Sequence, residues 1–166
     1  NNANVTLTGE GTNYFCIYAE GDISITDSTV IAKLNSADGG NTIVSYGSIC
    51  IDHSVVNINT VANNIALAAI NGLSISNSSQ VTVESNGNAS AVYTPQDLTI
   101  SDSILKADSS QISVRNKGAM RIINSTVEAI CNGDPITESL YSEDTISIEG
   151  NSNVLAIGKI SAVNGV

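Results

Sequence analysis

The chain has no tryptophan, one phenylalanine, two prolines and one methionine, and only 13% of its 166 residues are charged. Hardly any segment is a good helix former, so a helical fold lacks its material. Six Lys plus Arg stand against sixteen Asp plus Glu, a net charge of −10. That balance excludes a nucleic-acid partner, which needs a concentrated basic surface, and disfavours an anionic membrane surface. No apolar run approaches the roughly 20 residues of a membrane span, and no charged-then-apolar signal segment opens the chain. What is present is Asn, Ser, Thr, Ile and Val, the composition of strands joined by polar turns. With 42% apolar residues the chain has enough to bury a core, and its length fits one domain over residues 1–166.

An internal repeat organises these residues. An apolar-x-apolar core followed by Asn or Asp and Ser recurs as ISITDS from Ile23, ICIDHS from Ile49, LSISNS from Leu73, LTISDS from Leu98 and MRIINS from Met120, with ISIEGNS from Ile146 carrying Gly at the turn. The starts are separated by 26, 24, 25, 22 and 26 residues, and VTLTGEG from Val5 is a weaker copy one short coil earlier. After each turn a second apolar alternation follows: Val30/Ala32, Val56/Ile58, Val81/Val83, Leu105/Ala107, Val127/Ala129 and Val154/Ala156. Six residues before each start lie Ile17, Ile43, Leu67, Val92, Val114 and Leu140, apolar every time and not used in making the alignment. They mark a third strand.

Three strands per coil and about 24 residues per coil predict an all-β fold, a parallel β-solenoid of about six to seven coils in which each coil touches only its neighbours. At about 4.8 Å per coil the rod would be about 30 Å long. Inward rows such as Ile25, Ile51, Ile75, Ile100, Ile122 and Ile148 then stack like on like. GKISAVNG parallels YFCIYAEG, so Ile160 reads as one more third-strand residue and Val166 as the start of another copy. The expectation is an excised part of a longer surface protein that continues with more coils or a cap. Its open ends make end-to-end self-association of the isolated chain an expected behaviour.

The repeated I-x-I-x-[DN]-S-x-V-x-A pattern resembles the right-handed parallel β-helix modules of bacterial secreted and cell-surface proteins, related in fold to pectin lyases. The resemblance covers nearly the whole chain and implies a right-handed parallel β-helix with an extracellular or bacterial cell-surface location. Some modules of this kind bind polysaccharide, sometimes with calcium, and others are adhesin stalks. Fold alone therefore leaves the activity open.

Residues at equal positions form rows along the rod, and the rows locate candidate sites. The outward row of the third strand is Tyr18, Val44, Ala68, Tyr93, Arg115 and Tyr141, with Tyr46, Lys117 and Glu143 two positions further on. Tyr93, Arg115 and Tyr141 occupy consecutive coils, where Arg115 can stack on phenol rings and spend its donors on a ligand. Aromatic faces with polar neighbours suit sugar rings, so Tyr93, Arg115, Tyr141, Tyr18 and Tyr46 are the candidate ligand-binding residues and a polysaccharide or host glycan the candidate partner. Packing against a neighbouring domain, or merely covering a strand, is the competing reading.

Glu84 and Asp108 share an outward row on the second strand, with Asn59 next below. A bridging calcium ion is one way to hold two like charges there. A plain surface charge ladder is the other, since Lys106 stands beside Glu128 and close to Glu84. The acidic loops NSADGGN (Asn35 to Asn41) and NGDPITE (Asn132 to Glu138) match no calcium-loop spacing, and no other cofactor is expected. The first strand's outward rows, such as Ser24, Cys50, Ser74, Thr99, Arg121 and Ser147, read as a solvated hydroxyl face.

Catalysis is not expected. The loops are a handful of residues and build no groove, and Glu84 with Asp108 fit a pair of hydrolytic carboxylates on distance alone. His53 stands where other coils have Asp27, Asn77, Asp102 and Asn124, so it reads as a turn residue. Ser28, Ser54, Ser78, Ser103 and Ser125 read as a corner row that caps backbone groups. Cys16, Cys50 and Cys131 read as free thiols, Cys131 inward and the other two outward.

Overall fold

The computed structural model describes residues 2–10, 15–35, 39–61, 63–133 and 137–166. The three apolar signals of each repeat become three short strands. After β1 (Asn4–Gly9), the first full turn is β2 (Ile17–Ala19), β3 (Ile23–Thr26) and β4 (Thr29–Leu34). The next two are β5 (Ile43–Ser45), β6 (Ile49–Asp52), β7 (Val55–Thr60), then β8 (Leu67–Ala69), β9 (Leu73–Ser76), β10 (Gln80–Ser85). They are followed by β11 (Val92–Thr94), β12 (Leu98–Ser101), β13 (Ile104–Ser109) and by β14 (Val114–Asn116), β15 (Met120–Ile123), β16 (Thr126–Cys131). The last full turn is β17 (Glu138–Ser142), β18 (Ile146–Glu149) and β19 (Asn153–Ile157), and β20 (Lys159–Ala162) begins another.

Every strand from β1 to β17 pairs in parallel with the strand three places on. Sheet I runs β1-β4-β7-β10-β13-β16-β19, sheet II runs β2-β5-β8-β11-β14-β17-β20, and sheet III runs β3-β6-β9-β12-β15-β18. The result is an all-β parallel solenoid of about six turns. No helix among the described residues is long and apolar enough to cross a membrane.

The register is the one the repeat implies. Ile25, Ile51, Ile75, Ile100, Ile122 and Ile148 are successive partners in sheet III. In sheet I the row is Val5, Val30, Val56, Val81, Leu105, Val127 and Val154. Ile51, Ile75, Ile100 and Ile122 are fully buried in a single core cluster shared by the three sheets. Each such side chain contributes about 1.5–3 kcal/mol of transfer free energy. Ile148 departs from its row, at 43% exposed, because no complete strand of sheet III lies beyond it.

The corners have their own chemistry. Between sheets III and I the chain turns through Asp27, His53, Asn77, Asp102 and Asn124, all at positive φ, with Gly150 in the same place in the last turn. Asn and Asp tolerate this left-handed backbone better than other non-glycine residues. Beside them runs a serine ladder. Ser28 N–H donates to Ser54 Oγ at 3.0 Å, Ser54 N–H to Ser79 Oγ at 3.2 Å, and Ser79 N–H to Ser103 Oγ at 3.2 Å. The ladder continues from Ser103 to Ser125 and from Ser125 to Ser152. In the third turn its member is Ser79, not the expected Ser78. Asn77 and Ser78 are both at positive φ there, so the corner is one residue longer. Between sheets II and III, Asp22 accepts from Ser48 N–H and Ser48 Oγ, and Asp97 accepts from Ala119 N–H. Gly47 and Gly118 lie against those carboxylates so closely that a Cβ at either would overlap the Asp side chain.

Candidate functional site

The outer face of sheet II carries all the aromatic residues among the described ones: Tyr18, Tyr46, Tyr93 and Tyr141 on or just past its strands, and Phe15 just ahead of β2. Tyr18, Val44, Ala68, Tyr93, Arg115, Tyr141 and Ser161 are successive register partners. The expected row therefore exists, but it is not continuously exposed. Val44 and Ala68 are 4% and 2% exposed, so the middle of the row is a floor of small side chains between larger neighbours. The face divides into two patches.

The first patch is a ring cluster. Phe15 and Tyr18 have ring centroids 5.2 Å apart, and Tyr18 and Tyr46 meet edge to face at 6.0 Å. All three are open to solvent, at 43%, 48% and 58%. Phe15 was not among the residues picked out from the sequence, because it precedes the strand and falls outside the alternation. Its signal was only that it is the chain's sole phenylalanine, three residues before Tyr18.

The second patch is built around Arg115. Its guanidinium lies 5.7 Å from the ring centroid of Tyr141. Tyr93 is its register partner on the other side. One of the Arg115 donors is engaged within the protein. Nη2 is 3.3 Å from Glu143 Oε1, and Lys117 Nζ is 3.7 Å from the same oxygen. Two cations thus share one carboxylate, while Arg115 Nε is buried with no hydrogen-bond partner. A β-strand positions all of this: Arg115 and Lys117 are two residues apart around β14, and Glu143 follows β17 one coil on.

Glu84 and Asp108 are register partners on the outer face of sheet I, as the repeat implies. Each is held by a neighbouring amide: Asn59 Nδ2 donates to Glu84 Oε2 at 2.7 Å, and Asn132 Nδ2 donates to Asp108 Oδ1. Lys106 and Glu128 form an ion pair of 3.2 Å beside them. Glu84, Lys106, Asp108 and Glu128 line a shallow recess with Thr82 and Ile130. Partial burial raises the Asp108 carboxyl above its ordinary pKa, and the charges of Glu84 and Glu128 add to that shift. Among the described residues no three His, Cys, Asp or Glu side chains are arranged to hold a metal ion. The acidic loops from Asn35 to Asn41 and from Asn132 to Glu138 lie partly outside the described residues.

His53 shares a 2.7 Å hydrogen bond between its Nδ1 and Asp27 Oδ1 in the preceding corner, which holds Asp27 below its usual pKa. It is a turn residue paired to a turn residue. The three cysteines are free thiols. Cys50 is exposed and Cys131 buried, as expected, but Cys16 is half-buried against the core, with Sγ 3.3 Å from the Lys33 carbonyl. It precedes β2, where the alternation that set its expected direction has not begun. Comparison with known proteins finds no matching family model, no similar curated protein and no similar solved structure.

Proposed function

We propose that this chain is a non-catalytic carbohydrate-binding or adhesion module of a bacterial surface or secreted protein, with the outer face of sheet II as its binding face. The reading of location and origin comes from the resemblance of the repeat to right-handed parallel β-helix modules. The reading of activity rests on one observation: every described aromatic side chain sits on that one face, and three of them form an exposed cluster. Tyrosine presents an apolar ring for the C–H face of a sugar and a hydroxyl for its edge. Tyr18 and Tyr46 would serve one sugar-sized platform, and Tyr93, Arg115 and Tyr141 the other. Val44 and Ala68 leave room between them for a chain that lies along the rod.

A pull-down on insoluble polysaccharides, together with a glycan array, tests this. The double variants Tyr18→Ala/Tyr46→Ala and Tyr93→Ala/Tyr141→Ala are each expected to weaken binding about tenfold, the loss of about 1.4 kcal/mol of ring contact. Binding that survives both double changes removes the face from consideration. The alternative reading, a structural spacer with no ligand site, draws on the regular parallel stacking of the three sheets and predicts no binding to any glycan.

A further inference from the structure

The sequence holds four Asn-Gly pairs, Asn71–Gly72, Asn86–Gly87, Asn132–Gly133 and Asn164–Gly165. In such a pair the glycine nitrogen can close on the asparagine side-chain carbonyl, because no Cβ obstructs the backbone rotation that this needs. The fold sets one of the four apart. The exposed side-chain amides of Asn71 and Asn86 have no partner among the described residues. Asn164 Nδ2 donates to Asp144 Oδ1 at 2.8 Å, but Gly165 is tied into a bridge with Thr145. At Asn132 the backbone N–H donates to the Ser109 carbonyl at 2.8 Å, and the side-chain Nδ2 donates to Asp108 Oδ1 at 2.5 Å. Gly133 is exposed, and its own N–H has no hydrogen-bond partner among the described residues. Only glycine fits there, since a Cβ on Gly133 would overlap the Ser110 carbonyl.

Asp108 therefore touches the one nitrogen that would leave if Gly133 attacked. Partial burial, with the charges of Glu84 and Glu128 added, keeps its carboxyl protonated to a higher pH than an ordinary aspartate. The groups that face it are Glu84 on β10, Lys106 on its own strand, and Glu128 and Ile130 on β16, with Lys106 and Glu128 paired to each other. From this arrangement we infer that Asn132–Gly133 is a self-modifying site, where the Gly133 nitrogen displaces ammonia from the Asn132 side chain and Asp108 protonates the leaving nitrogen. Hydroxide takes the Gly133 amide proton, and the nitrogen's electron pair bonds to Asn132 Cγ while the carbonyl pair moves onto Oδ1. As that C=O re-forms, the bond to Nδ2 breaks. Nδ2 keeps the pair and takes the Asp108 proton, so ammonia departs and a cyclic imide remains. Asp108 regains a proton from water. Water then adds to the imide: breaking its Cγ–N bond gives aspartate at this position, and breaking its backbone C–N bond gives isoaspartate. Either product sets a new carboxylate beside Asp108 and removes the amide that held it.

Ageing the folded 166-residue chain at several pH values tests this, with peptide mass spectrometry after chromatography counting asparagine, aspartate and isoaspartate at Asn71, Asn86 and Asn132. An Asn-Gly pair with no acid beside it speeds up about tenfold per pH unit, since the glycine amide must lose a proton. At Asn132 the falling protonated fraction of Asp108 offsets that gain, so the rate should be flat between about pH 6 and 8. Asp108→Asn keeps an oxygen for the Asn132 amide but has no acidic proton. It should slow Asn132 about tenfold at the low end of that range, restore the steep slope, and leave Asn71 and Asn86 unchanged. Glu84→Gln withdraws a like charge from Asp108 without touching Asn132, and should lower the plateau without tilting it. Thermal melts identify the variants that keep the fold. The inference is overturned if Asn132 stays intact while Asn71 converts, or if its rate climbs with pH as steeply as that of Asn71. It is overturned equally by an unchanged rate in folded Asp108→Asn, or by a faster one, which would mean that Asp108 holds the amide away from Gly133.

Discussion

Asp108 carries a cost that its neighbours impose. Partial burial and the nearby Glu84 and Glu128 carboxylates favour its protonated form in the folded chain. A carboxyl whose pKa is raised by folding takes up its proton more readily folded than unfolded, so its charge destabilises the fold as pH rises from the unfolded pKa through the folded one. Below both values the penalty is absent. Asp108→Asn keeps an oxygen for the Asn132 amide and removes the charge. We expect it to raise Tm by about 1 °C at pH 7, a few tenths of a kcal/mol after solvent screening, and to leave Tm unchanged near pH 3. A thermal melt at the two pH values decides it; an equal gain at both would refute the charge account. Calcium is expected to leave Tm in place, and a rise seen in the wild type and lost in Asp108→Asn would instead put a cation on the pair. The Glu84–Asp108 row was legible in the sequence because strict alternation fixes it. The Asn132 partner was not, because it lies just past the end of β16, where no periodicity applies.

At the scale of the element, the corner ladder shows where reading from one side of a turn fails. From Ile25 to Val30, Ile51 to Val56 and Ile100 to Leu105 the interval is five residues, but from Ile75 to Val81 it is six. Counting back two residues from the second strand gives Ser79 and Ser152, the serines that the ladder uses. Ser79→Ala would leave the buried Ser54 N–H without its ladder acceptor, at a cost of about 1–3 kcal/mol, or several degrees in Tm. Ser78→Ala should move Tm by less than about 1 °C, since its side chain is exposed and outside the ladder. Equal effects from the two would show that the ladder contributes nothing. Sheet II was legible to the same depth. Its register and its tyrosines follow from the spacing of apolar residues. The burial of Val44 and Ala68 and the pairing of Arg115 with Glu143 do not, because both depend on how far long side chains reach across coils.

For the whole molecule, the sequence read so well because the rod is nearly one-dimensional: each coil has only the coils above and below as partners, so one spacing encodes almost every long-range contact. The ends escape that rule, which is why Ile148 belongs to an inward row and still meets solvent. The same property makes the coil a removable unit. Deleting residues 73–97 joins Gly72 to Leu98, the register partner of Leu73, and leaves every row intact. The shortened chain should keep a cooperative melt and lose about 4.8 Å of length by small-angle scattering. Deleting residues 73–85 alone breaks the register and should abolish the melt.

The serine ladder also stitches each coil to the next twice over. Every ladder serine from Ser28 to Ser125 donates its N–H to the serine hydroxyl one coil on. Its own carbonyl accepts from the residue that follows that serine, Val55, Gln80, Ile104, Thr126 and Asn153 in turn. The two bonds run in opposite directions, so their dipoles largely offset, and the corner is a seam that gains a matched pair of stitches with every coil added.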